Sequence, residues 1–463
     1  MKKVIFLLSC CLIAVAVSSQ TVASKLKIAY KKFENDPQLN HAISSIYVID
    51  AKTGKVIFER NASLGLAGAS TQKIFTAATA FELLGNEYRF KTRLGYSGKI
   101  NGGVLNGDLY VVGSGDPTLG SWRWQQTKDS IVLDQWIGEI KKMGIQKING
   151  TIRTNTSAFS YQAIPDGWIW QDIGNYYGAG SYPLNWKENQ YDLYLRSGSK
   201  LNDTVAILND SSFHFNVNEL RSAPKGTGDN AYIYYDHSIS GTIPVNERSF
   251  GISGATDDPV RDLLSDLGSA LSKNAIHLSG ENHTYHRYLF LNDSSELKDI
   301  HFFYTQYSPA LDSIVYWFLQ KSINLYGESL VKTFSYEKNS SGTTGAGVDM
   351  MIDFWRQRGI EKDEMHIVDG SGLSPLNRIT THAQVKVLQF AKSRSWYPRF
   401  YDGLPEYNGM KMKSGTINGV KGFSGYHKSK KGEEFIFSFL VNNYNGSPSA
   451  LVNKMFGVLN SLK

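Results

Sequence analysis

Ser70 and Lys73 stand one helical turn apart in GASTQKIFTAATAFELLG, and no other feature of the chain constrains its fold so tightly. Residues three apart on a helix share a face, so the lysine amine can reach the serine oxygen. An amine placed there can act on the hydroxyl proton and turn a weak alcohol into a nucleophile. The residues that follow, Ala77, Ala78, Phe81 and Leu84, make a face of small and large apolar side chains, and Gly85 supplies a stop. A helix of that make-up is suited to burial between other layers, at the centre of an enzyme domain.

Ser-x-x-Lys alone is common, because an N-cap serine with a surface lysine gives the same letters. Two further motifs give it weight. Ser322-Ile323-Asn324 lies in SPALDSIVYWFLQKSINLYGESLVKTF, whose apolar residues recur every three or four positions as in a buried helix. Lys413-Ser414-Gly415-Thr416 lies in GMKMKSGTINGVKGFSGYHKSKKGEEFIFSFLVNNY, which alternates like two strands joined by a Lys-Lys-Gly turn. Taken singly, the second is a polar pair at a helix end and the third an edge strand carrying a lysine. Three such motifs, in this order in a chain of this size, are hard to reach by accident.

With these motifs the chain resembles the D-alanyl-D-alanine carboxypeptidase/endopeptidase family, the low-molecular-mass class C penicillin-binding proteins, which are serine DD-peptidases. The resemblance continues through NGDLYVVGSGDPTLG at 106–120, DIGNYYGAGSYPLNWKEN at 172–189, SGTIPVN at 240–246 and VDGSGLSPLNRIT at 368–380. It departs from the family's usual Ser-Asp-Asn and Lys-Thr-Gly at Ile323 and at Ser414. Serine keeps the hydroxyl, and Ile323 fills the variable position of its motif, so the departures bear on substrate detail more than on activity.

The resemblance implies an α+β fold of the penicillin-binding and β-lactamase type, an antiparallel sheet flanked by helices, with mostly β inserted domains. It places catalytic parts at 20–91 and 286–463, an inserted domain at 92–185 and 251–285, and a nested domain at 186–250. Composition agrees in kind: Gly, Asn, Ser and aromatic residues dominate from about 92 to about 285, and helical periodicity returns with DPVRDLLSDLGSALSKNAI. ISSIYVIDAKTGKVIFERN reads as a hairpin.

The resemblance also implies roles. Ser70 attacks the carbonyl between two D-alanines; Lys73 is the base, its pKa lowered by burial and by the neighbouring cation Lys413. Ser322 passes a proton to the leaving amine, and Asn324 holds the substrate amide and orients Lys73. Lys413, Ser414, Gly415 and Thr416 bind the substrate, its terminal carboxylate facing one cation and two hydroxyls. Backbone N–H groups of Ser70 and Thr416 form the oxyanion hole. No cofactor or metal is implied. The expected partners are peptidoglycan stem peptides, cut at their D-Ala-D-Ala ends or at cross-links, and β-lactams as covalent inhibitors.

Other candidates carry less. Asp369-Gly370-Ser371-Gly372 lacks the Gly-x-Ser-x-Gly spacing and reads as a tight turn supporting the site, not as a second nucleophile. Gly113-Ser114-Gly115-Asp116-Pro117 reads as a turn without a phosphate-binding pattern. His283 and His286 lack the acidic partner of a metal motif. Trp168, Trp170, Tyr176 and Tyr177 suit core or domain-contact packing better than a sugar groove.

The chain has 463 residues, 41% of them hydrophobic, so several domains with buried cores are expected. MKKVIFLLSCCLIAVAVSSQ has the build of an export signal over 1–19, which puts the mature protein in the periplasm or cell envelope. Both cysteines, Cys10 and Cys11, fall inside it, leaving no disulfide and no thiol chemistry. Leu7-Leu8-Ser9-Cys10 loosely matches a lipoprotein site, but its apolar run is short and continues past the cysteine, so lipid attachment is not expected. Losing Lys2 and Lys3 takes the formal charge from +7 to +5. Lys428-Ser429-Lys430-Lys431 reads as a solvated turn, and nothing suggests nucleic acid. A β-lactamase shares the motifs but lacks a long insertion; a non-catalytic wall-binding protein has no reason to keep Ser70, Lys73, Ser322, Asn324 and Lys413 in register.

Overall fold

The structure is a computed structural model describing residues 21–155, 157–208, 215–279 and 299–463. The expected export signal with Cys10 and Cys11, and His283 and His286, lie outside the described residues.

The hairpin expected near residue 50 is present as β1 (Ile43–Asp50) and β2 (Val56–Arg60). Its turn is fixed by the Asp50 carboxylate, which accepts from the Lys52 and Thr53 backbone N–H groups and from the Thr53 hydroxyl. The segment 410–442, expected as two strands, is three: β4 (Met410–Ile417), β5 (Val420–Lys428) and β6 (Glu434–Asn442), preceded by a short β3 (Glu406–Tyr407). The missed turn is Asn418-Gly419, a two-residue hairpin loop of the Asn-Gly type, with Gly419 at φ 68°. These strands form one antiparallel sheet in the order β3-β4-β5-β6-β1-β2. Residues near the start of the chain therefore pair with residues near its end, from Ile43 opposite Asn442 to Asp50 opposite Phe435.

Strand alternation splits the apolar residues between two faces. Ile46, Val48, Met412, Phe437 and Phe439 pack beneath α1 (Val22–Glu34) and the C-terminal helix Pro448–Leu459. Tyr47, Ile49, Ile436 and Leu440 face the larger core. That core holds α2 (Lys73–Leu83), α3 (Leu311–Gln320), α4 (Asn324–Asn339), α5 (Thr344–Arg356) and α6 (Thr381–Lys392). Every residue of α2 from Lys73 to Phe81 is buried, so the helix does run through the centre of the layer. The single helix expected across 308–334 is broken into α3 and α4, with Ser322 left-handed at φ 59° between them.

Between α2 and α3 the chain builds a second body. Strands Lys91–Tyr96, Leu109–Gly113, Ile152–Asn155 and His301–Tyr307 form one sheet, with His301–Tyr307 pairing along Lys91–Tyr96 well past residue 285. Helices Asp129–Lys142 and Pro259–Lys273 share a core with these strands. The first was not expected in β-rich sequence, although Val132, Trp136, Ile137 and Ile140 make a helical stripe. A smaller core of Leu193, Leu195, Leu220, Ile239, Ile243 and Ile252 lies among the strands between Gln190 and Ala255.

Phe439 is fully buried, its ring 5.1 Å from Phe33 and 6.0 Å from Tyr30. Phe439→Ala leaves a hole between β6 and α1 and should cost about 3–5 kcal/mol, read as a lower urea midpoint. An unchanged midpoint would contradict the packing described.

Candidate active site

Gly68 to Gln72 turn the chain from an extended approach into α2. Ala69 is left-handed at φ 44°, an uncommon conformation for a residue with a Cβ. Such strain persists only where neighbours over-determine it. Here the Gly68 carbonyl accepts from the Thr71 N–H at 3.2 Å and the Thr71 hydroxyl at 2.6 Å, and Gln384 of α6 donates to that hydroxyl at 2.6 Å. Gln72 donates to the Asp369 carbonyl at 2.9 Å. Gly415 on β4 lies against the turn so closely that a Cβ there would sit 2.4 Å from the Gly68 oxygen and 3.1 Å from the Ser70 nitrogen. Ser70 is thus presented half-buried, on the wall of a cavity of about 840 Å³.

Lys73 has no exposed surface, and its amine meets three acceptors: Ser70 Oγ at 2.9 Å, Asn324 Oδ1 at 2.6 Å and the Ser371 carbonyl at 2.7 Å. An amide oxygen and a carbonyl can only accept. When Lys73 is neutral, its two N–H bonds are therefore claimed by Asn324 and Ser371, and the lone pair is left facing the Ser70 hydroxyl. Burial lowers the pKa of Lys73 to about 7, against the opposing pull of Asp369 and Glu328. The neutral form is accordingly accessible near neutrality.

The two acceptors are fixed from separate parts of the fold. Asn324 opens α4, and its Nδ2 donates at 2.8 Å to the carbonyl of Tyr177, in the inserted body. That bond sets which amide atom faces Lys73. Ser371 belongs to a turn organised by the buried Asp369, whose carboxylate accepts from Gly372 N, Ser374 N, Asn377 Nδ2 and Trp168 Nε1. The turn expected there is present, and its contribution is a main-chain oxygen.

The other expected site residues are distributed less evenly. Ser322, Asn324 and Thr416 share the cavity wall with Ser70. Ser322 Oγ makes no hydrogen bond among the described residues. Lys413 is buried behind that wall, its amine 3.0 Å from the Ser414 carbonyl. Burial, then repulsion from Lys73 and Lys421, holds its pKa well below the usual lysine value. Burial is thus the main cause of lowering at both Lys73 and Lys413, and repulsion between the two amines adds to it. Ser414 is not brought to the cavity wall; its hydroxyl lies 3.4 Å from that of Tyr407.

The aromatic cluster divides. Trp168 supports the Asp369 turn, and Trp170 packs on Tyr234 at 4.6 Å. Tyr176 and Tyr177 line the cavity with their rings edge to face. The Gly113–Pro117 segment is a turn in which buried Asp116 accepts from Thr118. Among the described residues no group of three or more His, Cys, Asp or Glu is placed to hold a metal ion.

Glu328 and Lys332 went unnoticed in the sequence. Both are fully buried on α4. Glu328 accepts from Gly370 N with both oxygens, and burial followed by repulsion from Asp369 raises its pKa to about 8. Lys332 donates to the carbonyls of Gln162 and Ser181, and burial lowers its pKa to about 7. Two charges one turn apart in an apolar helical stretch were the available signal.

The chain matches the family model described as D-Ala-D-Ala carboxypeptidase 3 (S13) over residues 26–460. It is 25% identical over 498 residues to a D-alanyl-D-alanine carboxypeptidase of Actinomadura sp., covering 95% of this chain and 84% of the relative. It is 25% identical over 419 residues to D-alanyl-D-alanine carboxypeptidase DacB of Haemophilus influenzae, covering 84% and 83%. Among solved structures it superposes on penicillin binding protein 4 (dacB) from Haemophilus influenzae with TM-score 0.77 at 21% identity, over 94% of this chain and 98% of that one. That protein has also been solved in complex with a β-lactam. The expected α+β fold of the penicillin-binding type is the fold found.

The buried lysines make stability depend on pH in a definite direction. Lys73 and Lys332 have folded pKa values of about 7, below the ~10.4 of an unfolded lysine. Between those values the unfolded chain binds more protons, so stability rises with pH by about 1.4 kcal/mol per pH unit for each proton of difference. Glu328 acts in the opposite sense, but its window closes at about pH 8. The melting temperature should climb from pH 8 to 10, and climb less in Lys73→Met. Equal slopes would contradict the burial account.

Proposed function

This chain belongs to the D-Ala-D-Ala carboxypeptidase 3 (S13) family and is a D-Ala-D-Ala carboxypeptidase, and on that premise we propose that Ser70 is its nucleophile and Lys73 the base that activates it. The observation that carries the proposal is the Lys73 amine, held so that its neutral form has only one direction left in which to accept a proton, toward Ser70.

In the proposed reaction, Ser70 Oγ attacks the carbonyl carbon between the last two D-alanines while its proton passes to Lys73 Nζ. The oxyanion is met by the N–H groups of Ser70 and Thr416, close to the positive end of α2. One such donor is typically worth about 3 kcal/mol in the barrier. The intermediate collapses with cleavage of the C–N bond, and the departing amine takes a proton from Lys73 by way of the Ser322 hydroxyl. Terminal D-alanine leaves, and the rest of the peptide stays esterified to Ser70. Water then attacks the ester and restores Ser70.

Lys413 and Thr416 hold the substrate's terminal carboxylate, with Gly415 letting β4 approach the nucleophile. An incoming carboxylate supplies the counter-charge that favours protonated Lys413. Ser414 joins them only by turning away from Tyr407. The same attack on a peptide cross-link makes the enzyme an endopeptidase, and attack on a β-lactam carbonyl makes a covalent adduct. The substrates are peptidoglycan stem peptides outside the cytoplasm, consistent with the export-type N-terminus; among the described residues no helix is long and apolar enough to cross a membrane.

Intact mass spectrometry with benzylpenicillin tests the assignment. A persistent one-to-one adduct is expected, absent in a folded Ser70→Ala variant. An adduct on that variant would refute Ser70 as nucleophile, and penicillin consumed without any adduct would make the enzyme a β-lactamase.

A further inference from the structure

Glu188 is a buried carboxylate that the acyl-transfer steps leave unused. It is 3% exposed and sits at the centre of Lys187-Glu188-Asn189, three consecutive residues in the left-handed conformation, at φ 53°, 54° and 53°. Three such residues in a row, none of them glycine, are costly and are kept only where the surroundings impose them. The surroundings do so here. Lys187 N donates to the Leu119 carbonyl and Asn189 N to the Trp186 carbonyl, while the Asn189 side chain donates to Gly180 O and Asn185 Oδ1.

The strained turn delivers one carboxylate to a meeting point of the two bodies. Glu188 Oε1 accepts from Ser121 Oγ at 2.7 Å, from Arg123 Nε at 2.7 Å and from the Tyr326 hydroxyl at 2.7 Å, and Oε2 accepts from Arg123 Nη2 at 3.0 Å. Ser121, Arg123 and Glu188 come from the inserted body. Tyr326 comes from the first turn of α4, two residues past Asn324. Burial, then the charge of Glu188, keeps the Tyr326 hydroxyl protonated, so it is the donor. The segment that carries Ser121 and Arg123 also braces α3, through Trp124 Nε1 to Ser313 Oγ at 2.9 Å and Arg123 over the Trp317 ring. These contacts lie on both sides of the break at Ser322, whose own backbone is left-handed.

We propose that Glu188 is a positioning residue for the reaction: by holding Tyr326 it fixes the first turn of α4, so that Asn324 meets the Lys73 amine and Ser322 faces the cavity. The proposal rests on the assignment of Ser70 and Lys73 above. A purely stabilising ion pair would lower the melting temperature and leave the folded enzyme's chemistry alone. A positioning role slows the chemical step itself.

The test measures acylation by a fluorescent penicillin, separating the maximal rate from the half-saturating concentration, well below the melting temperature of each protein. Glu188→Gln keeps the shape and loses the charge; Tyr326→Phe loses a single oxygen and carries the test if Glu188→Gln fails to fold. Each should acylate at least tenfold more slowly at a half-saturating concentration within about twofold of wild type. The double variant should be no more than about twofold slower than the slower single one, because both act through one contact. Folded variants reacting at the wild-type rate would overturn the proposal, as would losses that multiply in the double variant. Weakened binding at an unchanged maximal rate would overturn it too, making Glu188 a substrate contact. A wild-type protein that does not acylate would defeat the nucleophile assignment and this proposal with it.

Discussion

A primary amine with no exposed surface must either lose its proton or find a full set of acceptors, and Lys73 sits where both are possible. Its acceptors come from the end of the Ser70 turn, from the first residue of α4 and from the Asp369 turn. Each of those segments is itself pinned by something further out. The Ser70 turn is wedged by Gly415 and Gln384, α4 by Tyr177 and Glu188, and the Asp369 turn by Gln72, Trp168 and Glu328. Much of the catalytic body can be read as scaffolding that keeps one nitrogen dry and aimed.

This view changes the standing of the inserted body. Its strands and the helices Asp129–Lys142 and Pro259–Lys273 have cores of their own, yet it supplies the carbonyl that orients Asn324 and the carboxylate that holds Tyr326. A backbone atom and a buried charge, contributed from well outside the three motifs, complete the arrangement. The proposed chemistry therefore depends on how the two bodies meet.

The parts of the fold and site legible in the sequence were those whose signal lies in side-chain type and period. The 43–60 hairpin showed alternation around a Thr-Gly turn, α2 showed a helical period with a glycine stop, Ser70 and Lys73 stood out by their spacing, and Asn324, taken from the family's motif set, is brought to Lys73 by the fold. The Tyr177 and Ser371 carbonyls could not be found that way, because every residue carries one. The break at Ser322 was hidden because no glycine or proline marks it, although its backbone is left-handed. The turn at Asn418-Gly419 did carry a signal, overlooked because the alternation of β4 and β5 runs on across it. Strand His301–Tyr307 gave no hint of its partner, since pairing with Lys91–Tyr96 is decided more than two hundred residues away.

The pH dependence of the second-order rate constant for acylation by benzylpenicillin tests most directly whether Lys73 is the base. A neutral amine is required, and burial sets its pKa at about 7. The rate should rise with pH along an acid limb centred near that value and level off above it. A rate independent of pH across neutrality, or a limb near the ordinary lysine value, would contradict the account.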